Sequence, residues 1–259
     1  MHQITILELM INMITDNRYE LPKRDPGVIK SMFDAISFRY DLLNFLMSFG
    51  LDSRWRKRLV KEALLKKNDV VLDLACGTGD ISFSFLESKT EGMQVTGSDF
   101  SPEMIKLAQK KAQKRKKTEI NFIVGDALNI DYKDNSVDVI SIGFALRNLS
   151  DLPKGFKEMT RVLKPGGRAL CLELTRPQNK FMGWGHSLFL RVYVPIIGFL
   201  FSGDFKAYSY LARSIREFPP AETILQTMQE NGFSNVKKVV LSGGIATIFV
   251  GETAKIGQI

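Results

Sequence analysis

The sequence predicts an α/β fold, in which a mostly parallel, seven-stranded sheet carries helices on both faces, a C-terminal β-hairpin and a helical cap. The main observation is that short apolar runs rich in β-branched residues alternate with longer amphipathic segments between residues 70 and 174. The first apolar run ends in a glycine turn, which is typical of a parallel strand that leads into a helix. A later pair of apolar runs flanks Gly243-Gly244, which predicts a hairpin turn.

Each strand is predicted from its apolar run and each helix from an amphipathic segment. The predicted strands cover residues 70–74, 94–98, 120–124, 137–142, 168–174, 236–241 and 245–251. The predicted helices cover residues 80–87, 102–116, 151–163 and 221–231. The stretch KPGG at residues 164–167 predicts a stop and a turn before the fifth strand. This alternation brings the carboxyl ends of the first strands to one edge of the sheet.

Length and composition fit one large domain with an elaborated cap. The chain has 259 residues, of which 44% are hydrophobic and 25% charged. We expect residues 1–26 to form an irregular N-terminal extension and residues 27–259 to form a single domain. That domain begins with a helical region at residues 27–65 and carries the helical cap at residues 175–218.

The cap contains a long apolar segment at residues 181–201. Its length reaches the ~20 residues that span a bilayer. It also contains His186, Arg191 and Pro195, which argue against a spanning helix. The segment therefore favours an ordered helical cap over the site, with additional contact to lipid as the alternative.

The chain is basic, with a formal charge of +8, and its richest basic run lies at residues 110–117. This run either forms the solvated end of a helix, where cations interact favourably with the helix dipole, or attracts the protein to an anionic surface. A nucleic acid is the weaker choice of partner, because no aromatic residues interleave with the run. An anionic membrane is the stronger choice.

The two cysteines, Cys76 and Cys171, lie in apolar contexts and are predicted to be small buried residues, not a disulfide. This suits a reducing cytoplasm. Residues 1–13 are apolar but lack a basic start and a small-residue cleavage site, so we expect no signal peptide. The predicted location is the cytoplasm, with peripheral contact to the inner face of the membrane as an open possibility.

The segment VVLDLACGTGD at residues 70–80 is the most informative stretch of the chain. A glycine turn at a strand end lets backbone N–H groups approach a ligand closely. Gly77 and Gly79 are present, but Ser82 occupies the third glycine position of a dinucleotide site, which weakens a pyrophosphate interpretation. S-adenosylmethionine has no phosphate, and its ammonium group needs acceptors such as Asp73 or Asp80. The motif therefore favours S-adenosylmethionine and methyl transfer.

Two further acids follow the second and third strands. Asp99 stands twenty residues after Gly79, where a carboxylate can accept both ribose hydroxyls. Its alternative role is to cap the next helix, but Ser101 fits that cap better. Asp126 can accept from the adenine amino group, while Ala127 leaves room for the ring.

These motifs, with several others, resemble the quinone-biosynthesis C-methyltransferases. The similarity runs from about residue 32 to residue 251. It includes MFDAISFRYDLLN at 32–44, Trp55-Arg56, DFSPEM at 99–104, FALRN at 144–148, RVLKPGG at 161–167 and YLARSIREFP at 210–219. The resemblance implies a Rossmann-like class I methyltransferase fold, S-adenosylmethionine as cofactor, and methylation of a ring carbon of demethylmenaquinone or of a ubiquinone precursor.

The resemblance also implies cofactor positions at Thr78, Asp99, Asp126 and Ala127. A further family position, usually serine, falls on Gly143. Ala145 replaces a glycine of the family pattern. Both departures lie where ring and cofactor should meet, so they bear on substrate preference more than on the reaction.

Three residues are predicted to act on the substrate. Arg147 would supply positive charge to a ring oxyanion, Asn148 would orient a hydroxyl or a water, and Tyr40 would donate to a ring oxygen or relay a proton. Arginine is a poor base, so water is expected to take the proton. Each residue also has a purely structural alternative. Arg147 and Asn148 would then belong to a polar connection before the helix at residues 151–163, and Tyr40 and Asp41 would lie on one face of an amphipathic helix.

His186 is expected to be structural, and no His, Cys and carboxylate cluster has the spacing of a metal site. The expected substrate is a prenylated quinol. Two other function classes remain open: another small-molecule or lipid methyltransferase acting on oxygen or nitrogen, and a cofactor-binding assembly partner without catalysis. The sequence leaves open which quinone nucleus is used and whether the chain forms a homodimer.

Overall fold

The computed structural model describes Gly27 and residues 40–194 and 205–255. The predicted extension at residues 1–26, the start of the helical region and part of the cap therefore lie outside the described residues. The strands are β1 (Val70–Leu74), β2 (Gln94–Asp99), β3 (Asn121–Val124), β4 (Val137–Gly143), β5 (Leu163–Leu174), β6 (Phe233–Leu241) and β7 (Ala246–Thr253). The helices are α1 (Tyr40–Ser48), α2 (Leu51–Glu62), α3 (Asp80–Leu86), α4 (Pro102–Arg115), α5 (Leu152–Val162), α6 (Lys180–Leu188), α7 (Phe205–Glu217) and α8 (Ala221–Glu230).

The strands form one seven-stranded sheet in the order β3-β2-β1-β4-β5-β7-β6. β1 pairs in parallel with both β2 and β4, and only β7 runs antiparallel to its neighbours β5 and β6. The predicted mostly parallel sheet and its C-terminal hairpin are thus confirmed. Because the strand order reverses between β1 and β4, a crevice opens beyond the carboxyl ends of these two strands.

Helices cover both faces of the sheet, and consecutive residues of β1 show it. Val71 packs with Leu59 of α2 and Phe83 of α3, whereas Leu72 packs with the opposite face, where Phe156 of α5 lies. A strand buried on both faces reads as a continuous apolar run, which is the signal that predicted β1. The sheet edge is therefore a rigid support for the residues that follow each strand.

One predicted boundary is wrong. β5 begins at Leu163 instead of Arg168, and the predicted stop lies inside the strand. Val137 pairs with Leu163 and Val139 pairs with Arg168, so residues 164–167 form a bulge, in which Gly166 takes a φ of 76°. The turn residues were detected correctly, but they bend a strand instead of ending one.

The predicted helical region at residues 27–65 is helical over most of its described part. Its described part forms α1 and α2, which are separated at Phe49 and Gly50, where φ is 50° and 72°. The cap consists of α6, a π-helical turn at Phe189–Tyr193, and α7, which pack around Leu190 and Ile215. Within the residues that the structure describes, no helix is long and apolar enough to cross a membrane.

Candidate active site

Two cavities meet at the carboxyl edge of the sheet. The first, which we call the strand cavity, is lined by Asp99, Ser101, Met104, Gly125, Asp126 and Ala127 at the ends of β2 and β3. The second, the cap cavity, is lined by residues of α1, α2 and the cap, among them Arg56, Thr78, Asp80, Arg147, His186 and Tyr210. Both cavities are lined by Ala75, Gly77, Gly143, Phe144 and Asn148, which form a shared wall. A long ligand can therefore extend from one cavity into the other.

The glycine turn after β1 places main chain instead of side chains at this wall. Gly77 and Gly79 have φ of 55° and 86°, in the left-handed region that favours glycine. A Cβ at Gly79 would lie 2.6 Å from the Phe122 ring. Only glycine fits there, so the loop stays close to the sheet and open toward the ligand.

Asp99 is held by backbone donors from two loops. Its Oδ2 accepts from the N–H of Gly77 at 2.7 Å, and its Oδ1 accepts from the N–H of Ser101 at 2.9 Å. Ser101 caps α4 by accepting from the N–H of Met104 at 3.1 Å, as predicted. Asp99 is therefore fixed at the strand cavity, where a ribose would be bound.

Asp126 and Ala127 also line the strand cavity. The Asp126 carboxylate is exposed, and its Oδ1 accepts from the N–H of Leu128 at 2.8 Å. Ala127 is buried and presents little bulk. This arrangement suits an adenine ring whose amino group faces an acceptor, which is the role predicted for the pair.

Asp73 departs from its predicted role. It is fully buried beneath the glycine turn, and its two oxygens accept from the hydroxyls of Ser82 and Ser141, both at 2.6 Å. A carboxylate in that position does not reach the surface of either cavity, so the expected direct contact with an ammonium group is not supported. Burial raises the pKa of Asp73 to about 6. The residue instead links β1 to α3 and β4 through these two hydrogen bonds.

This raised pKa gives a testable pH dependence. Between its ordinary pKa of 3.8 and about 6, Asp73 is protonated when folded and ionised when unfolded. The free energy of unfolding should therefore fall as pH rises through this window, by about 3 kcal/mol relative to Asp73→Asn, which does not titrate. Urea denaturation of both proteins at pH 4, 5, 6 and 7 measures the difference. A difference that stays constant over this range would contradict the assignment.

Arg147 lies in the cap cavity but is not a free charge. Its Nη1 forms a buried ion pair with Oε1 of Glu173, at the end of β5. Glu173 also accepts from the backbone N–H of Arg147 at 3.2 Å and of Leu174 at 2.8 Å. The pair is neutral overall, and the buried Nε–H of Arg147 has no acceptor among the described residues.

Asn148 connects the shared wall to the cap. Its Oδ1 accepts from the Tyr210 hydroxyl of α7 at 3.1 Å. The hydrogen bond ties the Leu146–Asn148 turn to the cap helix that closes the cavity.

Tyr40 begins α1, and its side chain lies outside the described residues. His186 is half-buried, stacks on Phe189, and has its pKa lowered by burial, so it is neutral at pH 7.

Thr78 joins α1 to the glycine turn. Its hydroxyl donates to Oδ1 of Asp41 at 2.6 Å. The Lys111 ammonium of α4 donates to Asp41 and Asp80 at 2.6 Å and to Thr78 at 3.2 Å. Arg115 lies 4.7 Å from the centre of the Phe83 ring. The basic run at 110–117 was expected to face solvent or an anionic surface. Lys111, with a side chain 15% exposed, is used inside the protein, whereas residues 113–116 are exposed.

A model of the ubiE/COQ5 methyltransferase family matches residues 21–253, nearly the whole chain. The chain belongs to this family. It is therefore an S-adenosylmethionine-dependent methyltransferase, as the resemblance implied. The residues present fit that cofactor, because the acids Asp99 and Asp126 line the crevice and can accept hydrogen bonds from its hydroxyl and amino groups.

Curated relatives share much of the sequence. The demethylmenaquinone methyltransferase of Thermotoga maritima is 42% identical over 222 residues, covering 85% of this chain and 94% of that protein. The ubiquinone/menaquinone biosynthesis C-methyltransferase UbiE of Geotalea daltonii is 43% identical over 226 residues, covering 86% and 95%. A crystal structure of a SAM-dependent methyltransferase from Aquifex aeolicus has a TM-score of 0.55 at 20% identity, covering 77% of this chain and 89% of that chain. It supports the Rossmann-like fold.

The departure at Gly143 has a steric explanation in this family member. A Cβ at Gly143 would lie 2.2 Å from Cδ1 of Ile81. The space that a serine side chain would need is thus filled by Ile81, the second residue of α3. Glycine and isoleucine together keep the shared wall apolar at this point.

Sequence reasoning missed Glu173, Lys111 and Tyr210 as members of the site. Glu173 is an acid within the apolar run CLEL at residues 171–174, a signal that a buried ion pair was present. Lys111 was counted only as part of a charge run. Tyr210 belongs to the segment at residues 210–219 that resembles the family, but no role was predicted for it. Among the described residues, no group of three His, Cys, Asp or Glu side chains could hold a metal ion.

Proposed function

We propose that this methyltransferase methylates a ring carbon of a prenylated quinol, either demethylmenaquinol or the benzoquinol precursor of ubiquinone. The observation that carries the proposal is membership of the ubiE/COQ5 family together with relatives at 42–43% identity named for these reactions. The site adds support, since an acid-lined strand cavity adjoins a cap cavity with many apolar and aromatic lining residues.

The cap cavity suits a bulky, apolar substrate. It has about 1330 Å³ of empty space including its open mouth. Phe49, Phe189 and Tyr193 stack on one another with ring centres 4.9–5.8 Å apart near this mouth. A quinol ring can lie at the shared wall while its isoprenoid tail passes these rings toward solvent or lipid.

When bound, S-adenosylmethionine supplies an electrophilic methyl group to a nucleophilic ring carbon. The Arg147 guanidinium lines the cap cavity, and its positive charge can stabilise a ring-oxygen anion. Asn148 and Tyr210 can orient a second oxygen through their shared hydrogen bond. No proton is assigned to arginine, because its pKa is too high for a base, so the phenolic proton passes to water.

A product assay tests the substrate. Purified protein is given methyl-labelled S-adenosylmethionine with demethylmenaquinol, a benzoquinol precursor or mixed phospholipids, each in detergent. We expect label on a ring carbon of one or both quinols. Label found only in phospholipid, or only on quinol oxygen, would overturn the proposal in favour of a different methyl acceptor.

We also propose peripheral contact with an anionic membrane, through which the substrate would enter. Large apolar side chains are exposed on α1 and α6; Phe181 is 83% and Trp184 69% exposed. Arg191 and Arg216 lie nearby in the cap, since burial and then the charge of Arg191 lower the pKa of Arg216. An apolar face together with cations of the cap suits a bilayer that contains acidic lipid.

Vesicle flotation tests this contact. We expect wild-type protein to float with vesicles of phosphatidylglycerol and phosphatidylcholine, less so as salt is raised. Phe181→Ser with Trp184→Ser should reduce the bound fraction about tenfold or more, because two apolar side chains no longer enter the bilayer. Leu64→Ser, an exposed apolar residue after α2, is the matched control. Equal binding of wild type and the double variant would refute the proposed face.

A further inference from the structure

A quinol hydroxyl must lose its proton before the ring carbon becomes a good nucleophile. Water in the cap cavity can carry that proton, but water is a weak base and must pass the proton to a stronger one. A side chain fit for this step lines the cavity, has a nitrogen or oxygen free to accept, and is uncharged near pH 7. A neutral imidazole meets all three requirements.

His186 is an imidazole in the lining of the cap cavity. It lies on α6 and is half-buried, so part of its surface stays accessible. Its ring stacks on that of Phe189, with the ring centres 6.4 Å apart and the planes 15° apart. The imidazole makes no hydrogen bond to another described residue. The stacking therefore restrains the plane of the ring and leaves its nitrogens available.

The stacking partner of His186 places the imidazole beside the open side of the cavity. Phe189 also stacks on Phe49 and Tyr193 near the mouth, with ring centres 5.8 and 4.9 Å away. Asn148, which can orient a ring oxygen, lines the same cavity at the shared wall. Water in the cavity can thus connect the ring to His186, and a proton taken up there can leave to solvent.

The carboxylates that line the cap cavity are already engaged by cations. Asp52 accepts from Arg56 at 2.7 Å and from the Ser48 hydroxyl at 3.0 Å. Asp80 accepts from the Lys111 ammonium at 2.6 Å. A carboxylate beside a cation favours its ionised form and is a poor proton acceptor. Among the described lining residues, His186 is therefore the best placed base.

The surroundings of His186 keep the imidazole uncharged. Burial lowers the pKa of His186 below its ordinary value of 6.5, and no described charge contributes to this shift. The titratable groups of the cavity and of the adjoining turn are Asp52 and Arg56 of α2, Asp80 of α3, Arg147, Arg191 and Tyr193 of the π-helical turn, and Tyr210 of α7. The imidazole is thus ready to accept a proton at pH 7.

We propose that His186 accepts the quinol proton through water of the cap cavity and releases it to solvent. The O–H bond of the quinol breaks, and its proton reaches the imidazole. The ring carbon bonds to the methyl group while the carbon–sulfur bond of the donor breaks and its electron pair stays on sulfur. The ring carbon then loses its hydrogen as a proton, which returns through water to the ring oxygen. The quinol is restored, one proton is released, and the role rests on the proposed quinol substrate.

The pH dependence of turnover tests this role in His186→Gln, which keeps a polar side chain that does not titrate. The kcat is measured without oxygen between pH 6 and 9, at saturating donor and quinol. Wild-type kcat should be nearly constant from pH 7 to 9, because the imidazole is already neutral. The variant should be about 100-fold slower at pH 7, the loss of a general base. It should approach wild type toward pH 9, because a phenol ionises unaided near about pH 10.

Calorimetry should give His186→Gln the wild-type Kd for S-adenosylmethionine, which shows that the variant is folded. Ser187→Ala is the matched control, since Ser187 is the next residue of α6 but does not line the cap cavity. It should follow the wild-type profile at every pH.

A profile of His186→Gln that runs parallel to that of wild type would overturn the inference. A constant loss at every pH would mark a structural role, and no loss at all would show that another group takes the proton. Both results leave the quinol substrate in place. If wild type methylates neither quinol, the proposed substrate fails, and the role of His186 fails with it.

Discussion

Replacing Arg147 by alanine is expected to lower the free energy of unfolding by about 3–5 kcal/mol, because it leaves the buried Glu173 carboxylate without its partner. Glu173 is 0% exposed and has no access to water in the folded chain. Methyl transfer should fall at least ~100-fold, since the positive charge that stabilises the ring-oxygen anion is lost. Thermal or urea unfolding measures the first effect, and turnover at saturating donor measures the second.

A paired variant separates stability from catalysis. Arg147→Leu combined with Glu173→Gln removes both charges, so most of the lost stability should return. Activity should not return, while S-adenosylmethionine should bind as in wild type. Full turnover by this double variant would show that the pair is only structural and that another group activates the ring.

The second large effect, on cofactor affinity, is expected for Asp99→Asn. The asparagine side chain has only one oxygen, so its NH₂ group must face the backbone N–H of either Gly77 or Ser101. That N–H group then loses its acceptor. The loss of that bond and of the charge that accepts the ribose hydroxyls should weaken S-adenosylmethionine about 100-fold, which corresponds to about 3 kcal/mol. Calorimetry with the folded variant measures this.

A shorter ligand tests whether this loss belongs to the ribose. Asp99→Asn should also weaken 5′-methylthioadenosine, which lacks the amino-acid end of the cofactor but keeps the ribose. Glu103→Gln is the control: Glu103 lies in the first turn of α4, and its exposed carboxylate pairs with Lys106 at 2.7 Å. Unchanged affinity of Asp99→Asn for both ligands would show that the ribose is bound elsewhere.

The features that sequence alone predicted are those determined by neighbours along the chain. Apolar runs predicted all seven strands, and Ser101 was identified as a helix cap from its position before Pro102. Gly77 and Gly79 predicted the turn after β1. Since the carboxyl ends of parallel strands share an edge, it also followed that Asp99 and Asp126 would line one crevice.

What sequence could not predict depends on residues that meet only in the folded chain. Glu173 reaches Arg147 across 26 positions, and Lys111 reaches Asp41 across 70. Asp73 is an acid like Asp99, but it lies under the loop, where burial raises its pKa to about 6. The side chain of a strand-end acid can point above or below the turn, and the pattern alone does not decide which.

The shared wall has a consequence for how this enzyme can change its substrate range. Ala75, Gly77 and Gly143 bound the passage between the two cavities mostly with main chain, which is anchored by the sheet. This part of the aperture has no side-chain rotamers through which to widen or narrow. Differences in ring size or tail length must therefore be accommodated by Phe144 and Asn148, or on the far side by aromatic and aliphatic side chains of the cap.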